Sequence, residues 1–208
     1  MNTADQAAQI LLKAFNDRQP IESLPDEIKP SNVEEGYAIQ QAGHRLSGVQ
    51  LGPWKVGATS AMGQKFLGID APFVGRPHLN RVLTDGADIS LSEWFAGPVG
   101  VEVEIGFIPL SDLTEIPDDP LELSSLVDVV GCFELVNSRF TDLVRPGAPS
   151  LIADNAVSSV IVRGSSLGLN VNQIRALDQL VVALDINGTE QVAATGASAL
   201  GHPLNVLQ

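Results

Sequence analysis

The chain has 208 residues, 44% of them hydrophobic, and a formal net charge of −13. That supports one well-buried core, excludes a disordered or collagen-like chain, and excludes DNA and RNA as primary ligands, since phosphate backbones are bound by clustered Lys and Arg. An anionic metabolite is repelled by the average field, so a site for one needs a local cation, a lysine or a metal ion.

Residues 4–17 place Ala7, Ile10, Leu11, Ala14 and Phe15 at helical spacing, which predicts a helix with one buried stripe. This N-terminus has no basic n-region and no small-residue cleavage site, and no apolar run in the chain approaches membrane-spanning length. The sequence therefore reads as a soluble cytoplasmic protein with no membrane partner. A Pro-rich connector leads to a second helix, where Ser31 and Glu34 form a capping-box pattern and Val33, Tyr37 and Leu46 carry the helix toward Gly48.

From residue 51 the texture changes to short β-type runs cut by Gly and Pro, with few helices between them, which favours a mixed or antiparallel sheet system. The acidic loop "TEIPDDPLELSS" is expected to lead into a short helix ending near Val127 to Val130. Asn187-Gly188 lies between "LVVALDI" and "TEQVAAT" and predicts a type I′ hairpin, because both turn positions need positive φ. Cys132, the single cysteine, cannot form an intrachain disulfide. Its apolar neighbours suggest a buried small hydrophobe in a reducing compartment.

The chemistry concentrates in "GVEVEIGF". On a strand, Glu102 and Glu104 share a face and Val101, Val103 and Ile105 share the other. The plain reading is a strand with one wet face. Glu134 adds weight to a second reading, since it sits in "VVGCFELV", where the pattern predicts a strand buried on both faces. A buried carboxylate needs a raised pKa or a partner; the partner is either Arg139 or Arg163, or a metal ion shared with Glu102 and Glu104. Three carboxylates without thiolate or histidine make an all-oxygen set, suited to Mg²⁺ or Mn²⁺ rather than Zn²⁺ or copper. Lys55, in "GPWKVGATS", is either a snorkelling surface residue or a functional cation. Asp154 and Asn155 read as caps of the following element. His44, His78 and His202 lack companions at metal-ligand spacing and read as structural or surface residues.

Six collinear segments, "WKVGATS", "LGIDAPFVGR", "VEVEIGF", "FELVNSRF", "GAPSLIADNAVSS" and "ATGASALGHPLNVL", span roughly residues 37–207. Together they resemble the 2-keto-4-pentenoate hydratase and 4-oxalocrotonate decarboxylase branch of the fumarylacetoacetate hydrolase superfamily. The resemblance implies an α+β fold with a rolled mixed β-sheet, a partly open barrel, preceded by an N-terminal helical segment over residues 1–50 and forming a β-rich catalytic domain over 51–208. It implies a divalent cation, Mg²⁺ or Mn²⁺, on Glu102, Glu104 and Glu134. Lys55 and Asp154 are implied as catalytic, and Asn155, Ser60 and Asp70 as substrate-binding. The implied reaction is hydration of a 2-hydroxy-2,4-dienoate to a 4-hydroxy-2-oxo acid, with decarboxylation of 4-oxalocrotonate, or a catalytically silent partner subunit, as alternatives. A homo-oligomer, and a decarboxylase–hydratase complex, are the implied assemblies. Three positions depart from the pattern: Phe73 stands where an acid is common, Gly100 where an arginine is common, and the chain ends at Gln208, ahead of the strands that complete the core in relatives.

Overall fold

The computed structural model describes residues 2–142 and 145–208. Helix α1 (Thr3–Asp17) starts where Asn2 accepts a hydrogen bond from the Asp5 amide, and ends at Arg18 in a left-handed conformation. It buries Ala7, Ala8, Leu11 and Ala14. Helix α2 (Val33–Ser47) begins one residue later than the predicted box: Asn32 caps the Glu35 amide, and the Glu35 carboxylate accepts from the Ser31 amide and hydroxyl. Its buried residues are Gly36, Ile39, Gln40 and Ala42, whereas Val33 and Leu46 are exposed. Of the predicted apolar positions, Tyr37 packs against Phe73, Ile152 and Ala156, while small residues on a different face allow close approach to neighbouring elements. α1 and α2 share a core with Leu24, Phe140 and Ala153.

Strand β1 (Lys55–Gly57), helix α3 (Ala61–Leu67) and strand β2 (Phe73–Gly75) follow, with β1 and β2 antiparallel. Next come β3 (Val82–Thr84), the short helix α4 (Leu91–Trp94), β4 (Gly100–Pro109) and β5 (Val127–Val136). Then follow α5 (Ala148–Ala153), β6 (Ser158–Ser166), α6 (Val171–Ile174), β7 (Val181–Ile186) and β8 (Thr189–Thr195). The central sheet has the order β3-β6-β5-β4, with β3 parallel to β6 and the other pairs antiparallel, so it is mixed as expected. β7 and β8 form the predicted hairpin, with Asn187 and Gly188 at φ 53° and 77°. The acidic loop ends in a 3-10 segment, Pro120–Ser125, and residues 127–130 open β5 instead of closing a helix. The β-branched run in "VDVV" favours the strand.

Alternation then divides the central sheet. Ile105, Phe107 and Val129 face one apolar cluster with Leu123, Ile174, Leu177 and Leu204, while Leu135, Val160 and Phe95 form another. The opposite face of β4 and β5 carries the carboxylates. No described helix is long and apolar enough to cross a membrane.

Candidate functional site

The site begins with register. Glu102 lies directly opposite Glu134 across the β4–β5 ladder, and Glu104 lies opposite Cys132. Directly opposed residues of an antiparallel pair project to the same face, so all three carboxylates meet there. One oxygen from each lies within 4.8 Å of the others. Glu134 is 1% exposed, Glu104 is half-buried and Glu102 is exposed, so the group forms a depression with a dry floor and a wet rim.

Lys55 closes the floor. It is 5% exposed and places Nζ 3.1 Å from Glu134 Oε2. It therefore does not snorkel, and it takes the place expected of Arg139 or Arg163 as partner of Glu134. Burial pushes the Lys55 pKa down, but the surrounding carboxylates of Glu134, Glu102 and Glu104 outweigh it and hold the ammonium above its ordinary range. Burial raises the Glu134 pKa, against the lowering pull of Lys55. Burial, with Glu134 and Glu102 beside it and Lys55 opposing, lifts Glu104 to about 7. Cys132 is half-buried on this same face, not in the core, and burial with the neighbouring Glu104 raises its thiol to about 11.

Two observations fit these residues to a divalent cation. The donor set is all oxygen, as hard cations require. Both carboxylate oxygens of Glu134 are buried, with the Lys55 ammonium 3.1 Å from Oε2 and the Ser158 hydroxyl as their neighbours, fewer partners than a buried carboxylate can take. Buried carboxylate oxygens are normally satisfied, and a cation held jointly with Glu102 and Glu104 would satisfy them.

The other sequence-predicted residues lie elsewhere in the network. Asp154 is 1% exposed and engaged by Arg139: its carboxylate accepts from the Arg139 guanidinium, the Arg139 amide and the Ser138 hydroxyl. This arrangement ties Asp154 to Arg139 and Ser138 at the exit of β5. Asn155 is likewise committed to the fold. Its Oδ1 accepts from the Arg76 amide at 3.0 Å and contacts His44 Nε2 at 2.9 Å, and its Nδ2 donates to the Arg76 carbonyl at 2.7 Å. Ser60 caps α3 by accepting from the Gly63 amide. Asp70 is exposed and has no hydrogen bond or ion pair among the described residues. Local capping and turn contacts thus hold Asn155 and Ser60 in place.

Phe73, at the departure from the family acid, is 5% exposed and packs with Ile152 and Ala156. Its ring lies over Gly57, where a Cβ would come within 2.7 Å of it. That position is core, so proton handling falls to other groups. Sequence reasoning did not single out Ser158, whose buried hydroxyl faces Glu134 and helps hold its pKa down. The only signal was the "SS" that ends the "ADNAVSS" segment.

Residues Asn155, Ala156 and Val157 are all left-handed, at φ 57°, 55° and 54°. Gly75 allows this turn to approach β2, since a Cβ there would collide with the Asn155 carbonyl oxygen and crowd Ala156. Gly75→Ala is expected to lower stability by about 2–4 kcal/mol, read as a fall in urea midpoint, because backbone and side chain both stand in the way.

The chain shares its fold with 4-oxalocrotonate decarboxylase from Pseudomonas putida G7, in a complex with calcium and acetate and in one with magnesium and adipate. The TM-score is 0.81 at 22% identity for each, covering 97% of this chain and 76% of that one. No protein-family model matches the chain. By sequence it is 35% identical over 209 residues to a 2-keto-4-pentenoate hydratase of Paraburkholderia xenovorans, covering 98% of this chain and 75% of the relative. It is 29% identical over 206 residues to a 2-hydroxypent-2,4-dienoate hydratase of Pseudomonas putida, covering 94% of this chain and 88% of that protein. Fold and carboxylate face together define a mixed-sheet protein of the fumarylacetoacetate-hydrolase-like class. Within that class the chain belongs to the 2-keto-4-pentenoate hydratase family, whose members are hydro-lyases.

Proposed function

We propose that the chain is a divalent-metal-dependent hydro-lyase that adds water to 2-hydroxypenta-2,4-dienoate, or a close analogue, to give 4-hydroxy-2-oxopentanoate. The observation that carries this reading is the buried Glu134, beside Lys55 and with a carboxylate oxygen within reach of one from each of Glu102 and Glu104. Glu102, Glu104 and Glu134 would hold Mg²⁺ or Mn²⁺, which when bound stabilises the negative charge that develops on the substrate's C2 oxygen.

The chain's own residues supply the rest. Lys55 is the sole cation among the groups that shift Glu134 and Glu104, and its raised pKa keeps it charged at neutral pH. It neutralises the substrate carboxylate and holds a proton at Nζ for transfer. The balance is a proton shift from the 2-hydroxyl to C5, followed by addition of water as hydroxyl at C4 and hydrogen at C3. The dry floor around Glu134 strengthens each of these charge interactions.

Chelation tests the reading directly. EDTA is expected to abolish the loss of dienoate absorbance, and Mg²⁺ or Mn²⁺ to restore it; full activity after chelation would overturn the metal-dependent mechanism. Product mass separates the alternative, because hydration adds one water and decarboxylation removes carbon dioxide.

Metal binding should also depend on pH. Glu104 takes up a proton below about 7, and that proton must leave before the oxygen can act as a ligand. Apparent Mn²⁺ affinity, measured by calorimetry, is expected to weaken about tenfold or more for each pH unit below 7 and to level off above it. An affinity unchanged from pH 5.5 to 8 would remove Glu104 from the ligand set.

A further inference from the structure

The carboxylate face of the central sheet extends beyond the three glutamates. One rung of the β4–β5 ladder sets Glu102 opposite Glu134, and a second sets Glu104 opposite Cys132. The same rungs continue onto β6, where Ile161 lies opposite Glu134 and Arg163 lies opposite Cys132. Directly opposed residues of antiparallel strands project to one face, so Arg163 stands on the face of the glutamates, in one row with Cys132 and Glu104.

The far end of that row carries a cation with no acid of its own. Lys55 takes the place beside Glu134 that the sequence left open to Arg163, and Arg163 makes no ion pair and no side-chain hydrogen bond among the described residues. Its charge is nevertheless felt on this face: burial and Glu104 raise the Cys132 thiol, and Arg163 opposes them. The residue between the acid and the arginine is small. Cys132 leans toward Gly106, where an added Cβ would come within 2.9 Å of its Sγ, so the middle of the row stays low. The Cα atoms of Glu104 and Arg163, two strands apart, are separated by about 10 Å, a span that a short carbon chain and an arginine side chain cover between them.

We propose that Arg163 selects, at the reaction site described above, a substrate that carries a second carboxylate at the far end of its chain, a 2-hydroxydienedioate or the matching 2-oxo diacid. The inference rests on the metal-dependent reading of that site. The near carboxylate of such a substrate is answered by the cation and Lys55. A second negative end gains nothing from the average field of a chain with net charge −13, so it needs a cation of its own. Arginine suits the task, since its planar fork takes a carboxylate through two parallel hydrogen bonds. Because Arg163 is exposed, water and salt compete for it, and the selection is modest in size and sensitive to ionic strength.

Two saturated probes isolate the far carboxylate, because 2-oxohexanedioate and 2-oxohexanoate share chain length and chelating end and do not undergo hydration. Calorimetric titration of the full chain with saturating Mg²⁺ at low salt is expected to show the diacid bound about fivefold or more tightly than the monoacid. The preference should shrink as salt rises to about 0.5 M. Arg163→Gln should bring the two affinities together without changing that of the monoacid, and Arg163→Lys should keep part of the difference. Melting curves check that each variant is folded. Equal affinities in the parent chain, a preference that survives in Arg163→Gln, or an equal loss for both acids in that variant overturns the proposal and leaves the metal-dependent reading standing. Binding of neither acid by the folded parent with Mg²⁺ overturns that reading and the selection built on it.

Discussion

Glu134→Gln is expected to weaken Mn²⁺ binding by about a hundredfold or more and to abolish hydratase turnover, while raising the melting temperature of the metal-free protein at pH 8. The two halves share one cause. Burial raises the Glu134 carboxyl above its ordinary value, so in the folded chain the ionised form is disfavoured. Above that raised value the wild-type side chain is charged and lowers stability relative to a neutral isostere; below about 4.5 it is protonated in folded and unfolded chains alike, and the advantage of glutamine disappears. Melting curves of the EDTA-treated proteins at pH 4 and pH 8, beside Mn²⁺ titrations, provide the check. A variant less stable than wild type at pH 8, or one with unaltered Mn²⁺ affinity, would contradict the shared-cation reading.

Lys55→Met is expected to do the opposite to the metal-free protein. It leaves three carboxylates around a dry floor without their cation, and breaking a buried pair from one side costs about 3–5 kcal/mol. The sign agrees with the Lys55 pKa: it is raised on folding, so the ammonium stabilises the fold at every pH below its ordinary value and is lost only as pH rises through the higher folded value. Added Mg²⁺ should recover most of this stability, because a divalent ion supplies the missing charge. It should not recover turnover, which falls about 10²- to 10⁴-fold with the loss of a proton-transfer group. Lys55→Arg is expected to fail too, since a planar guanidinium does not fit a pocket shaped around a compact ammonium. Denaturation with and without Mg²⁺, together with steady-state rates, separates the two roles; full activity in Lys55→Met would exclude the lysine from the chemistry.

These residues differ in how visible they are in the chain. Glu102 and Glu104 are legible because a strand fixes i and i+2 on one face, and Glu134 because a carboxylate among "VVGCF" and "LV" needs a partner. What the partner is depends on register. Arg139 and Arg163 are the partners the sequence suggests for Glu134, yet Arg139 is turned to Asp154, and Lys55 reaches Glu134 from a strand some 80 residues earlier. Asp154 and Asn155 read locally as caps, and only the family resemblance implies a role at the site. Their contacts with Arg139, Arg76 and His44 arise only from packing between α2, β2 and α5, for which no local pattern exists. The second helix shows the same limit, since Gly36, Ile39, Gln40 and Ala42 pack inward while Val33 and Leu46 lie outside.

The left-handed run at Asn155, Ala156 and Val157 has a consequence for assembly. Each such residue is disfavoured by roughly 1–2 kcal/mol in an L-chain, and Val157 is β-branched, so the peptide alone will not hold this shape. The backbone of Arg76, the imidazole of His44 and the open side of Gly75 impose it from outside. The segment therefore acts as a latch that closes only after three distant parts of the chain have met, and its amide protons report the completion of folding.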